Sequence, residues 1–184
     1  MSAKIRSILI LLTIIASVVY IVFSFFHFPK KSNDMLCEHL KVNVKDSVSL
    51  KFVSEKSVLL ELKREDLYPI GKKRQEINFL EIERQLLRNA LIKEVECYFT
   101  PNGTVIINIW QREPLFRVMS LNRENYYVDA ERNILPISKN YAAYVPIVTG
   151  YANKNFTTGE LFEFIVFLQK DKFWKNQIQQ INID

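Results

Sequence analysis

The stretch from Leu91 to Pro114, LIKEVECYFTPNGTVIINIWQREP, constrains the fold more than any other part of the chain. Apolar residues alternate in two runs, Val95/Cys97/Phe99 and Val105/Ile107/Ile109, on either side of Pro101-Asn102-Gly103. A period of two marks a strand with one buried face. Asn-Gly between two such runs is a strong hairpin signal, because both residues tolerate positive φ. The spacing predicts two antiparallel strands, with Val105, Ile107 and Ile109 turned to the core and Ile106, Asn108 and Trp110 on a more open face. Pro114, which cannot donate to a ladder, is expected to close the second strand after Gln111-Arg112-Glu113.

Upstream, Val42 and Val44 alternate with polar neighbours and predict a first strand from Leu40. Ser54 stands as an N-cap before EKSVLLELKRE, whose Val58, Leu59 and Leu62 share one helical face. Asn78 and Glu81 have capping-box spacing at the head of NFLEIERQLLRN, where Phe79, Ile82 and Leu86 form a buried stripe. Pro69, Gly71 and Lys72-Lys73-Arg74 break the chain between the two helices. That charge cluster reads as solvated, with lipid headgroups or an acidic partner as the sharper alternative.

Strand, helix, helix and hairpin in this order resemble a POTRA domain, a small βααββ module, over residues 40–114. In detail, IERQLLRNALIKEVECYFTPNGTVIINIWQREP is similar to the FtsQ/DivIB family of bacterial cell-division proteins. The shared features are a helix with asparagine near its end, an Ile-Lys-x-Val strand, an Asn-Gly turn and a Gln-Arg-x-Pro exit. Beyond Pro114, LFRVMS, Tyr126-Tyr127-Val128-Asp129, Ile134-Leu135-Pro136 and Val145-Pro146-Ile147-Val148-Thr149-Gly150 read as short strands. They resemble the family's second domain, with its Tyr-x-Asp hairpin ending in proline and its Val-Pro-x-x-x-Gly segment. The chain departs at Arg132, where the family commonly has glycine, and Asn133 is expected to supply the left-handed residue. The resemblance implies an α+β fold: an N-terminal transmembrane helix, a POTRA-type domain, then a mostly antiparallel β domain with one or more helices over residues 115–184. The residues that carry the family motifs, as structural or partner-contact positions, are Asn102, Gly103, Gln111, Arg112, Pro114, Tyr127, Asp129 and Pro136.

Ser7 to Phe28 holds 22 residues without a charge, enough as a helix to cross a hydrocarbon layer of about 30 Å. The run exceeds a signal-peptide core and lacks an Ala-x-Ala site, so an uncleaved anchor is expected, with a cleaved signal as the alternative. Residues 1–6 form a short tail and residues 29–39 a linker. His27 reads as interfacial. Lys4 and Arg6 before the span nearly balance Lys30 and Lys31 after it, so a cytoplasmic N-terminus and an external body rest on the resemblance.

Near the other end, Leu161, Phe162, Ile165 and Leu168 share a helical face within GELFEFIVFLQK, with Thr158 as a candidate cap. The run Phe162, Phe164 and Phe167 reads as core. QIQQINID begins an alternating strand with Ile181 and Ile183 and has no strand after it. The sequence is therefore expected to be an incomplete piece of a longer family member, with residues 178–184 paired inside a sheet, the far edge exposed, and the edge through which the family binds FtsB and FtsL missing.

Two histidines, His27 and His39, supply neither a catalytic triad nor a metal site in the body. G-x-S-x-G, the P-loop and G-x-G-x-x-G are absent. No catalytic, cofactor-binding or metal residue is assigned. Glu94/Glu96 and Glu81/Glu83 read as solvated charge, with acid-base work as the alternative. Asp129 reads as a turn former and Arg112 as half of a surface ion pair, partner contact being the alternative. The net charge of +5 is spread along the chain, which speaks against a nucleic-acid footprint; no small-molecule substrate is expected. Cys97 reads as a small buried hydrophobe, and a bridge to Cys37 stays open. Membership of the family implies a non-enzymatic, single-pass scaffold of the inner membrane. It would recruit division proteins, chiefly FtsB and FtsL, for septum formation through β-augmentation. A membrane-anchored envelope enzyme and a POTRA-bearing transport or assembly component are the alternatives.

Overall fold

In the computed structural model, which describes residues 3–27, 34–45, 50–138 and 141–184, the two alternating runs form the expected hairpin. Strand β1 (His39–Val44) precedes it. β2 (Ile92–Phe99) and β3 (Thr104–Gln111) pair antiparallel, setting Val95 opposite Ile109, Cys97 opposite Ile107 and Phe99 opposite Val105. β1 lies parallel on the other side of β3, with Val42 beside Ile107, so the order is β1-β3-β2. Val105, Ile107 and Ile109 are fully buried.

The turn differs from the expectation for Asn-Gly. Only Gly103 has positive φ, +76°. Its N–H donates to the Thr100 carbonyl at 3.2 Å, and the Thr100 N–H donates to the Thr104 carbonyl at 2.8 Å. The loop therefore has three residues: Pro101 sits where its fixed φ suits a turn, and the one left-handed residue comes last. The Gly103 carbonyl also accepts the N–H groups of Glu38 (2.9 Å) and His39 (3.3 Å), and a Cβ at this position would lie 3.1 Å from the Leu36 carbonyl oxygen. Gly103→Val is expected to cost about 1 to 3 kcal/mol through strain at positive φ. Thermal melting of the chain in detergent checks this, and an unchanged midpoint would show that the turn accepts a side chain.

The contacts of Glu38 correct the linker boundary. Leu36 bridges to Lys73, the Cys37 N–H donates to the Lys72 carbonyl (3.0 Å), and the Gly71 N–H donates to the Cys37 carbonyl (2.8 Å). The folded body thus begins at Leu36, because Cys37 is buried in its core. Residues 29–33 of the expected linker, and Phe28 of the expected anchor, lie outside the described residues.

Two helices cover the core side of the sheet. α1 (Ala3–His27) precedes them in the chain, and α2 (Glu55–Arg64) and α3 (Phe79–Leu86) pack on the sheet. Ser54 caps α2 by accepting the Ser57 N–H, and Asn78 caps α3 by accepting the Glu81 N–H. Val58, Leu62, Ile82 and Leu86 are buried as their spacing predicts, and Phe79 is half-buried. α1, 25 residues long, belongs to a separate unit that ends at Met35 and covers the run expected as an anchor up to His27. Its described side chains, Leu11 to Phe23, are all exposed, and among the described residues no helix is long and apolar enough to cross a membrane.

The second sheet contains β4 (Pro114–Ser120), β5 (Asn125–Asp129), β6 (Ile134–Pro136), β7 (Ile147–Gly150) and β8 (Gln180–Ile183), in the order β6-β5-β4-β7-β8. Pro114 opens β4 rather than closing β3, and a strand's first residue tolerates a missing N–H. The sheet is mixed, not mostly antiparallel: β4/β5 and β5/β6 are antiparallel, whereas β4/β7 and β7/β8 are parallel. Helices α4 (Lys154–Thr158), α5 (Glu160–Lys170) and α6 (Lys172–Gln177) fill the connection from β7 to β8 and give a crossover long enough for parallel pairing. Leu161, Phe162 and Ile165 of α5 bury with Phe116, Val118, Tyr126, Val128 and Val148 in a second core. Thr158 ends α4, and Gly159 takes the cap position of α5 without a side-chain bond. Phe164 and Phe167 are exposed, contrary to the expectation of core, because helical phase turns them to the side of α5 away from the buried Phe162, off the Leu161/Ile165/Leu168 stripe.

Candidate functional site at the junction of the two sheets

Two residues separate β3 from β4, and the chemistry of the body gathers around them. Gln111, at the end of β3, is buried. Its Oε1 accepts the Val53 N–H at 2.9 Å, and its Nε2 donates to the carbonyls of Leu50 (3.0 Å) and Lys45 (3.3 Å). One amide therefore satisfies three backbone groups of the segment that leads into α2. Arg112 Nη1 donates to Asp129 Oδ2 and to Glu131 Oε2, both at 2.9 Å, and Lys93 on β2 pairs with Glu131 from the other side. Lys93 and Arg112 hold the Glu131 carboxyl below the usual carboxylate range, the hydrogen bond from Lys93 first, while Glu131 raises the Lys93 ammonium.

Asp129 is buried, and its Oδ1 accepts the N–H groups of Glu131 (2.9 Å) and Asn133 (2.8 Å). It is thus both the turn former that the sequence indicates and the inward half of the Arg112 pair. The turn repeats the geometry of the first hairpin, with the Arg132 N–H on the Asp129 carbonyl and the Asp129 N–H on the Asn133 carbonyl, both at 3.1 Å. Arg132 itself is left-handed, at φ +67°, which corrects the assignment to Asn133. Ser120 to Glu124 forms the same turn a third time, with Arg123 at φ +64°. The Arg132 side chain accounts for its presence where glycine would be easier. Its guanidinium donates to the Thr158 carbonyl (2.9 Å), pairs with Glu163 and lies 4.5 Å above the Phe162 ring.

Tyr127 is fully buried, accepts the Ala143 N–H on its hydroxyl at 3.2 Å and meets Phe52 edge-on at 5.8 Å. With Leu135 it packs into the core of the first sheet, so the two sheets share apolar contacts across the junction. Gln111, Arg112, Pro114, Tyr127 and Asp129 therefore come together here. Asn102 and Gly103 lie at the tip of the first hairpin, and Pro136 is exposed at the end of β6, beside Tyr126.

The carboxylate pairs do not converge on a reacting position. Glu81 pairs with Arg84, and Glu83 accepts the outward N–H of Cys97 at 2.7 Å, filling the open edge of β2. Sequence reasoning missed that contact, and also Lys93 and Glu131, since nothing in local spacing links residues across a turn or a junction. Both cysteines are free and buried. Burial, then the nearby Glu83 carboxylate, pushes the Cys97 thiol up to about 12. Cys97 is therefore expected to resist iodoacetamide at pH 8 in the native chain and to react once unfolded. Native labelling at the unfolded rate, followed by mass spectrometry, would contradict this.

Comparison with known families covers nearly all of the folded body. Residues 35–110 match the POTRA-like domain, and residues 113–184 match the domain described as FtsQ/DivIB, C-terminal related. No curated protein matches the chain.

Proposed function

Because the chain belongs to the FtsQ/DivIB family and carries its cell-division domains, we propose that it is a non-enzymatic scaffold of the division complex. It holds its body outside the cytoplasmic membrane through the uncharged run near its N-terminus and recruits small division partners of the FtsB and FtsL type for septum formation. The observation that carries this reading is the junction. The two family matches meet at residues 110 to 113, where Gln111 and Arg112 couple the sheets. A body locked in this way presents sheet edges in a fixed relation, which suits a scaffold. Partners add a strand to an open edge, main-chain bonds giving affinity and alternate side chains specificity. The 22 uncharged residues from Ser7 to Phe28 support a membrane anchor, and the family resemblance supports a cytoplasmic N-terminus. Depletion of the protein is expected to give filaments without septa, and cells dividing at normal length after depletion would refute the proposal.

A further inference from the structure

We infer that the outer edge of β1 accepts an extended acidic segment of a partner, which joins the first sheet as a fourth strand. In the parallel pairing of β1 with β3, the His39 N–H reaches the Gly103 carbonyl at 3.3 Å and the Lys45 N–H reaches the Ile109 carbonyl at 2.8 Å. Alternate residues of a parallel strand bond to the same neighbour. Leu40, Val42 and Val44 therefore direct their N–H and C=O groups away from β3, where no strand pairs with them among the described residues. They open on a groove of about 780 Å³ between β1 and the start of α2. Lys41, Lys45 and Lys51 rim it as exposed cations, with Glu55 the one acid of its lining among the described residues.

Two other edges are blunted: Glu83 fills β2 at Cys97, and β6 is three residues long and ends in Pro136. A bare β1 edge beside three lysines favours an acidic strand. A second copy of this chain would bring Lys41 and Lys45 close to the same residues of its twin, and like charges on paired strands repel. This inference rests on the scaffold reading and gives it one named edge in the first sheet. Its test needs no division phenotype, so the two fail separately.

The probe is a fluorescent ten-residue peptide alternating valine and aspartate, titrated into the full chain in detergent micelles while amide exchange is followed. Saturation is expected to slow exchange at Leu40, Val42 and Val44 by roughly tenfold or more. The double variant Lys41→Glu/Lys45→Glu is expected to weaken binding by about tenfold, with Ile107 still protected as the mark of an intact sheet. Unchanged exchange at the three residues, equal binding of a valine–lysine peptide, or protection at Gln180 and Asn182 of β8 instead would overturn the inference. So would undiminished binding by the double variant, which would make the lysines mere guards of an edge.

Discussion

Asp129→Ala is expected to destabilise the body by about 3 to 5 kcal/mol, the range found when one partner of a buried pair is removed. The carboxylate is 3% exposed and has two duties. Oδ1 closes the β5–β6 turn through the Glu131 and Asn133 N–H groups, and Oδ2 receives Arg112 from the end of β3. Alanine opens the turn and leaves the guanidinium with Glu131 alone. Asp129→Asn keeps an acceptor for the turn and loses the charge, so it is expected to cost about 1 to 2 kcal/mol less. Urea unfolding of the chain in detergent reads both, and equal losses would mean that the turn, not the pair, carries the effect. The exposed arm of the network adds a pH signature. The folded-state carboxyl of Glu131 is lowered, so its contribution is present above the ordinary carboxylate value and fades as pH falls through the lowered one. Lys93 is raised, so its share is present at neutral pH and fades as pH rises through the raised value. Glu131→Gln is expected to flatten both limbs.

What the sequence discloses follows the range of the forces involved. The hairpin of β2 and β3, the caps Ser54 and Asn78 and the buried stripes of α2, α3 and α5 are local, written in residues two to four apart. The parallel pairing of β7 with β4 and β8 is not, because a crossover determines it and no periodicity in Ile147–Gly150 or Gln180–Ile183 records the partner. The junction was legible by halves. Gln111, Arg112 and Asp129 stood out through family motifs, but the bond from Arg112 to Asp129 spans two strands and the turn between them. Arg132 misled because a left-handed position predicts glycine or asparagine, whereas three contacts with α4 and α5 hold an arginine there. Phe164 and Phe167 misled because hydrophobicity was read in place of helical phase.

Gly150→Ala is expected to release β8 from the second sheet. Gly150 ends β7 at φ +91°, and a Cβ built there falls 1.9 Å from the Ile183 carbonyl oxygen and 2.9 Å from its nitrogen. The obstacle is backbone and does not yield by changing a rotamer. Its own carbonyl is also occupied, accepting the Leu121 N–H (2.9 Å) and the Ser120 hydroxyl (3.2 Å), so β7 is not free to turn away from β4. The methyl must therefore displace β8. The left-handed strain costs about 1 to 3 kcal/mol, and lost burial of the half-exposed Ile181 and Ile183 about 1 to 2 kcal/mol more. The sum, about 2 to 5 kcal/mol, reaches at its upper end the large single-site losses. Gly71→Ala separates the two causes: Gly71 has φ +84°, yet a Cβ there meets nothing within 4 Å, so it bears the strain without the collision. Amide exchange is expected to show Ile181 and Ile183 unprotected in Gly150→Ala while β4 and β5 stay protected, with Gly71→Ala leaving β8 intact. Equal losses of stability in the two variants, with β8 protected in both, would mean that the edge strand does not depend on a bare backbone at residue 150.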